Sequence, residues 1–445
     1  MSEPTHALTT SARGLLRRRS LWIPSAVILG LLSFVLSLLY LGANNDPVGS
    51  MKNLPIAIVN EDRGTQAAGR PIDLGTQLTA QITGAADLRG KVDWKQVDRH
   101  TADDLMGNGK VFGALVIPDD FSASVAALAG PLQQGAHPPT MTVLTNPAAG
   151  SFGSNMASEI NRQVIQSAST QLGDRLTQQL AQQAAQHPAQ QAGAPGTAAE
   201  LMITDPIRTT VQAGHPLGDH SGLGMSAFFY TLVLVLGGML GANVIHAQLD
   251  TALGWLANEK GPFRSIRPVQ HLSRVGHFTV ASVLMVALSM LTSALAMAAA
   301  VGVIGIDASH LPMLWLFGTC ATAAMGITAL ALLAAFGTPG PIVSMLILIG
   351  LAVPSAGGTV PLQALPSFYR FLAEFEPFRQ VVDGVRAILY FDARTGAGLG
   401  RAWTMVGIGF ALTLALGLVV TRLYDRKGHH RSAAQLPTPQ PAPIG

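Results

Sequence analysis

Six long stretches of this 445-residue chain carry no Asp, Glu, Lys or Arg, and the charges crowd between them. The stretches lie near 21–43, 224–247, 276–303, 311–336, 341–360 and 402–421. Each is about long enough to cross ~30 Å of hydrocarbon as a helix rising 1.5 Å per residue. The first follows Arg17, Arg18 and Arg19, as a secretory leader would. Its run LWIPSAVILGLLSFVLSLLYLGA is too long for a leader core, and no clean small-residue cleavage site follows, so it reads as an uncleaved anchor.

Between the first two stretches the pattern changes to that of a water-soluble domain, 44–222. LPIAIVN at 54–60 is an apolar run ending in the turn-prone NEDRG, a buried strand and a loop. KVDWKQVD at 91–98 alternates as a second strand. KVFGALVIP at 110–118 is a third, stopped by Pro118. DDFSASVAALAG at 119–130 predicts a helix beginning at Asp119 or Asp120 and ending at Gly130, and TMTVLTN at 140–146 a further strand. Helical spacing of Ile160, Val164, Ile165, Leu172, Leu176 and Leu180 predicts one long helix over 150–187. The tract AQQAAQHPAQQAGAPGTAA after it is low in complexity and reads as a flexible break. The expected fold is therefore an all-α polytopic membrane bundle of about six helices, 224–421 contributing five, with an inserted extracytoplasmic α+β domain.

The outer loop 361–401 is rich in Phe, Leu and Val. The spacing of Phe368, Phe371, Leu372 and Phe375, then Val381, Val382, Val385 and Ile388, predicts two helical pieces broken by Pro377. They fit an interfacial amphipathic helix with aromatic anchors, or a re-entrant hairpin shielded from lipid by protein. Gly357-Gly358, with Pro361 and Pro366 after them, predict a sharp turn. Glu374, Glu376, Arg379, Asp383 and Arg386 punctuate the apolar segment. A candidate outer gate consists of Gly357, Gly358, Glu376, Arg379 and Asp383.

Charge fixes the expected orientation. Only 12% of residues are charged, against about 25% in a soluble domain, and mean hydropathy is +0.36. Arg13, Arg17, Arg18 and Arg19 precede the first stretch. Lys260, Arg264, Arg267 and Arg274 fall in the loop 248–275. Arg422, Arg426, Lys427 and Arg431 belong to the tail 422–445, which reads as disordered. The positive-inside rule puts these three segments, with residues 1–20, in the cytoplasm. Residues 44–222 hold 11 Lys and Arg against 16 Asp and Glu, a formal charge of −5, and are expected outside. The formal net charge of +3 is too small to indicate nucleic acid; membrane lipids are the expected surroundings of a plasma-membrane multi-pass chain. With the single Cys320 no internal disulfide is available.

Catalytic motifs are lacking. Gly109-Lys110 is followed by Val111, so no phosphate loop of the G-x-x-x-x-G-K-[ST] kind exists, and no G-x-S-x-G elbow marks a nucleophile. The histidines are scattered by spacing, with His429-His430 in a polar tail, so no metal-ligand cluster and no cofactor are expected, and the chain does not read as an enzyme. His246 and His277 fall at cytoplasmic span ends, where a His is ordinarily interfacial. None of the six stretches holds an ionisable coupling residue of the kind ion-driven transporters use, which points to energy supplied by a partner. Gly237 and Gly241 form a G-x-x-x-G face, open to packing within the chain or to a homodimer seam. Lys260, Arg264 and Arg267 surround Gly261-Pro262, a turn expected between two short helices. These charges suit either an anionic lipid surface or contact with a cytoplasmic subunit.

LPIAIVNEDRG after a first span, then GKVFGALVIPDDFSASV, resembles the outer domain of Pip/YhgE-type proteins and related type-2 ABC exporter permeases. PSAGGTVPLQALPSFYRFLAEFEPFRQVVDGVRAILYF looks like that group's segment between its last two spans. The nearer resemblance is to the nitrosoguanidine-resistance-like membrane proteins. It implies a permease subunit that exports amphiphilic or lipid-like compounds, drugs among them, with ATP hydrolysed by a separate cytoplasmic ABC subunit pressing on loop 248–274. The rival class is a non-transporting scaffold or receptor, a secretion component or surface-binding protein, that acts through its outer domain.

Overall fold

The computed structural model describes residues 17, 19–67, 70–129, 137–186, 204–265 and 267–429. Most of the low-complexity tract, nearly all of the N-terminal segment and the tail beyond 429 lie outside the described residues. The fold is mostly helical. Among the described residues five helices are long and apolar enough to cross a membrane: α1 (Arg19–Ala43), α6 (Ser226–Ala252), α7 (Arg274–Met297, carried on by a π-helical turn to Val303), α8 (Leu311–Phe336) and α12 (Leu399–Arg426).

The stretch expected as a sixth full span, 341–360, is a shorter apolar helix, α9 (Gly340–Ser355), with a π-helical turn over Leu346–Leu351. At 1.5 Å per residue it covers about 24 Å, less than a full hydrocarbon core. Its limits follow from the sequence. Pro341 suits a first turn, while Gly357 at φ +67° bends the chain beyond the last. The other helices run past their charge-free windows, so Asp250, Arg274, Arg401 and Asp425 sit at helix ends rather than in loops.

α8 forms the centre of the bundle, packed against α6, α7 and α12. Its buried face is built from small residues such as Ala321, Ala324, Ala329 and Ala331, which let neighbouring helices approach closely. Gly237 and Gly241 face α7, where a Cβ on Gly237 would stand 2.9 Å from Thr292 and one on Gly241 3.5 Å from Met285. This G-x-x-x-G face is thus used within the chain. α1 is peripheral and packs chiefly on α9.

Between α1 and α6 lies a five-stranded mixed sheet of order β4-β1-β5-β6-β7: β1 (Leu54–Asn60), β4 (Val92–Gln96), β5 (Gly113–Ile117), β6 (Thr140–Thr145) and β7 (Arg208–Ala213). β4, β1 and β5 are mutually parallel; β6 runs antiparallel to β5 and parallel to β7. β1 and β5 are buried on both faces, which is why they read as continuous apolar runs. Ile58, Leu115 and Ile117 pack toward α2 (Leu74–Gly84), α4 (Phe121–Ala129) and the long α5 (Ser151–Gln186). Ala57, Val59, Ala114 and Val116 pack toward α3 (Arg99–Gly107) on the opposite face. A short hairpin, β2 (Thr65–Ala67) with β3 (Arg70–Ile72), completes the unit.

The sheet unit rests on one end of the bundle. Lys52 N–H donates to the Gln363 carbonyl at 2.7 Å, the Arg370 guanidinium to the Ser50 carbonyl at 3.2 Å, and His215 Nε2 meets the Tyr390 carbonyl at 2.8 Å. The opposite end gathers the α6–α7 loop, the α8–α9 junction and the end of α12. There Asp425 accepts from the Arg274 and Val275 N–H groups, each at 3.0 Å, and Tyr424 donates to the Ala335 carbonyl at 2.9 Å.

Candidate functional site: the closure at the sheet end of the bundle

The two helical pieces predicted on either side of Pro377 are α10 (Ser367–Phe375) and α11 (Pro377–Tyr390). Pro377 is tolerated because it occupies the first turn of α11, where its missing N–H is not needed. Glu376 caps that turn: its carboxylate accepts from the N–H groups of Phe378 and Arg379, both at 2.8 Å.

The two helices differ in how deeply they are buried. α10 turns Phe368, Phe371 and Phe375 outward, an aromatic face of interfacial character, while its Tyr369 donates to the Leu38 carbonyl of α1 at 3.0 Å. α11 is sunk into the bundle core. Phe378, Val381, Val382, Val385 and Ile388 are fully buried against α6, α8 and α12, and Gly384 lies against Phe317 and Ala402.

Polar groups are spaced along this buried helix. Glu376 is 5% exposed, and burial raises its carboxyl from the usual range to about 7, against the opposing pull of two backbone N–H groups and Arg379. Arg379 pairs with Asp383 at 3.6 Å and donates to the Ala373 carbonyl at 3.0 Å. Arg386, one turn further, is 6% exposed; its Nη2 donates to the Gly358 carbonyl at 3.2 Å. Its Nε finds no partner among the described residues. Burial pushes this guanidinium below its ordinary value, and Asp383 pulls it back. Gly358 packs so closely that a Cβ there would stand 2.1 Å from Phe228 of α6. Arg386 also borders Gly150, in the loop from β6 to α5, so one side chain meets the sheet unit, the turn after α9 and α11.

The predicted gate residues are thus gathered around one buried helix. Sequence reasoning left Arg386 without a role there. Its signal was present: Arg386 stands one turn beyond Asp383 among Val382, Val385 and Ile388, on the apolar side of the helix.

At the opposite end the α6–α7 loop holds a β-hairpin, β8 (Asn258–Lys260) with β9 (Phe263–Ser265), rather than the two short helices expected. The turn falls at Gly261-Pro262 as predicted; Gly261 adopts φ +59°, and three-residue arms leave no room for a helical turn. Arg264 reaches Glu259 across the hairpin at 3.5 Å, both exposed, and Phe263 is 78% exposed. Arg267 lies exposed beyond β9.

Residues 25–413 match the family described as "Protein of unknown function (DUF3533)". The chain belongs to that family. The match runs from α1 to within α12, so the sheet unit, the bundle and the α10–α11 pair are all parts of the DUF3533 architecture. A curated relative, "Uncharacterized protein YhgE" of Bacillus subtilis (strain 168), is 25% identical over 230 residues, 51% of this DUF3533 chain and 26% of the relative. The chain therefore spans about a quarter of that relative's length. Together these findings support the YhgE-like character read from the sequence, in a protein with the helices of a multi-pass membrane protein.

Three histidine and aspartate side chains that are scattered along the sequence are brought together by the fold. His246 and Asp250 of α6 meet His277 of α7 at the hairpin end of the bundle. Spacing hid the cluster because its members come from two helices on either side of the loop. The His246–Asp250 interval, one helical turn, was the legible part.

Proposed function

We propose that this DUF3533 chain is the membrane permease subunit of an ABC-type exporter for amphiphilic or lipid-like compounds, with ATP hydrolysed by a separate cytoplasmic subunit. The observation that carries the reading is α11, a helix buried in the sheet end of the bundle and held to the turn after α9 by Arg386. A helix so placed can close a path through the bundle and open it by moving. The charge-free middles of the spans suit apolar cargo. In this reading α9 completes a sixth crossing, the sheet unit lies outside, and the basic hairpin with Lys260, Arg264 and Arg267 is where the ATPase engages. The chain itself carries no catalytic role, and its glycine faces serve internal packing.

Topology is tested by single cysteines in a Cys320→Ala background. Thr170 on α5 and Ser265 on the hairpin are both exposed, whereas Ser122 is fully buried and would report poorly. A membrane-impermeant thiol reagent on intact cells is expected to label Thr170→Cys and spare Ser265→Cys; the reverse pattern overturns the orientation.

For coupling, Arg264→Glu combined with Arg267→Glu is expected to abolish efflux of a lipophilic fluorescent dye at unchanged protein level. It should also abolish co-purification of an ATPase from mild detergent. Normal efflux by the double variant would reject coupling through the hairpin. Absence of dye efflux and of any ATPase with the unaltered protein would favour the scaffold reading instead.

A further inference from the structure

The three side chains that meet at the hairpin end bring one ligand atom each to within 4.8 Å of one another. His246 and Asp250 lie one turn apart on α6, and His277 faces them from the first turn of α7. His277 Nε2 is 2.9 Å from Asp250 Oδ1, and His246 Nε2 is 3.7 Å from Asp250 Oδ2. The rings meet edge-to-face with centroids 4.9 Å apart. Asp250 and His277 are 7% and 6% exposed.

A buried carboxylate at a helix end needs a partner, and the His277 contact provides one. The second imidazole, His246, aims the same nitrogen at the other carboxylate oxygen. Two imidazole nitrogens and a carboxylate gathered this closely form a ligand set for a metal ion. Ligands ~2.0–2.1 Å from a tetrahedral ion stand about 3.3 Å from one another, between the two observed separations. Nitrogen-rich ligation with one oxygen suits zinc and its first-row neighbours over calcium or magnesium.

Two further observations point to a ligand. A small cavity of about 20 Å³, enough for one water-sized group, opens beside His246 and His277 and gives room for the open fourth position that three protein ligands leave. The wall behind His277 is aromatic: Trp255 stacks on it at 5.4 Å and 15°, and the indole N–H donates to the Gln270 carbonyl at 3.1 Å. Arg274 also lines the cavity, but its guanidinium is engaged by the His429 carbonyl and lies 5.1 Å over the Tyr424 ring.

We propose that His246, Asp250 and His277 bind one divalent first-row transition metal ion, zinc by the character of the ligands, joining α6 to α7 beneath the loop that carries the hairpin. The proposal does not depend on the export reading. Trp255 and Gln270 tie both ends of that loop to the His277 wall, so the ion fixes the base from which the hairpin projects.

The test uses the full chain, purified in detergent on a histidine-free affinity tag and stripped with a chelator. Cobalt(II) is titrated and followed by visible absorption, and zinc affinity is measured by displacement. The expected result is saturation at one equivalent, with the strong d–d bands of low-coordinate cobalt and a higher melting temperature in zinc. His246→Ala is expected to weaken zinc roughly tenfold or more and to abolish the rise in melting temperature that zinc gives the unaltered protein. Asp250→Asn should weaken binding similarly. His429→Ala with His430→Ala should leave it unchanged. Absence of saturable uptake by the unaltered protein overturns the proposal, as does uptake insensitive to His246→Ala and Asp250→Asn, or uptake lost in the tail variant. If a ligand variant does not fold, one-equivalent cobalt binding with low-coordinate bands in the tail variant still sustains the proposal, and its absence rejects it.

Discussion

Replacing Arg386 with alanine is expected to destabilise the protein by about 1–3 kcal/mol, the range for leaving a buried polar group without its partner. The loss has two parts. Asp383 would keep Arg379, at 3.6 Å, and the weaker pull of Arg401 and Lys110, and the Gly358 carbonyl would lose its donor in a place water does not readily reach. Arg379→Ala should cost less, because Asp383 would keep the more deeply buried Arg386 nearby. The measurement is the monodisperse fraction after detergent extraction, together with the thermal midpoint, for Arg386→Ala, Arg379→Ala and Arg386→Met. The methionine fills most of the volume without charge, so it separates lost packing from lost charge. An Arg386→Ala variant as stable as the unaltered protein would show that α11 is not anchored by this side chain.

Glu376 should make the closure sensitive to pH. Its folded-state value, about 7, lies above the ordinary 4.5, so the folded protein binds the proton more tightly than the unfolded chain does. That stabilisation is fully present below about pH 4.5 and is lost as pH rises through about 7. The difference between the two limits is roughly 3 kcal/mol. Glu376→Gln keeps an acceptor oxygen for the Phe378 and Arg379 N–H groups and removes the charge. The thermal midpoint of the unaltered protein should therefore fall relative to Glu376→Gln by a few degrees between pH 5 and pH 8. Glu376→Ala should lose the cap at every pH, about 1 kcal/mol. Parallel pH profiles for the unaltered protein and the Gln variant would contradict the burial of this carboxyl.

The bundle was legible because a bilayer penalises charge so strongly that the charge-free windows mark the helices. The windows underestimate helix length at the ends, where Asp250 and Arg274 continue the helices into polar surroundings. Strands β1, β5 and β6 were legible as apolar runs. β7, RTTVQA, was not: it is an edge strand with almost every side chain exposed, so pairing with β6 rather than burial makes it a strand. α2 and α3 were missed for a similar reason. Their faces are only weakly apolar, and their starts are set by Asp73 and Asp98, which accept from the Thr76 and Thr101 N–H groups at 2.8 and 2.7 Å. In the closure, the break at Pro377 and the charged residues were visible in one dimension. That α10 faces outward while α11 is buried depends on which neighbours they meet, and those neighbours lie far away in the chain.

The peripheral position of α1 bears on how the protein is made. Two of its polar ties are to residues more than 300 positions later: Tyr40 donates to the Ile349 carbonyl at 3.3 Å, and the Leu38 carbonyl accepts from Tyr369. At ~5–20 residues per second, a ribosome needs about 15–60 s to supply those partners after α1 has emerged. If α1 is inserted as it is made, it waits in the membrane with its future packing face turned to lipid, tethered to a sheet unit already able to fold. α1 is thus made before the α9 and α10 residues that hold it, and it can dock only once they exist.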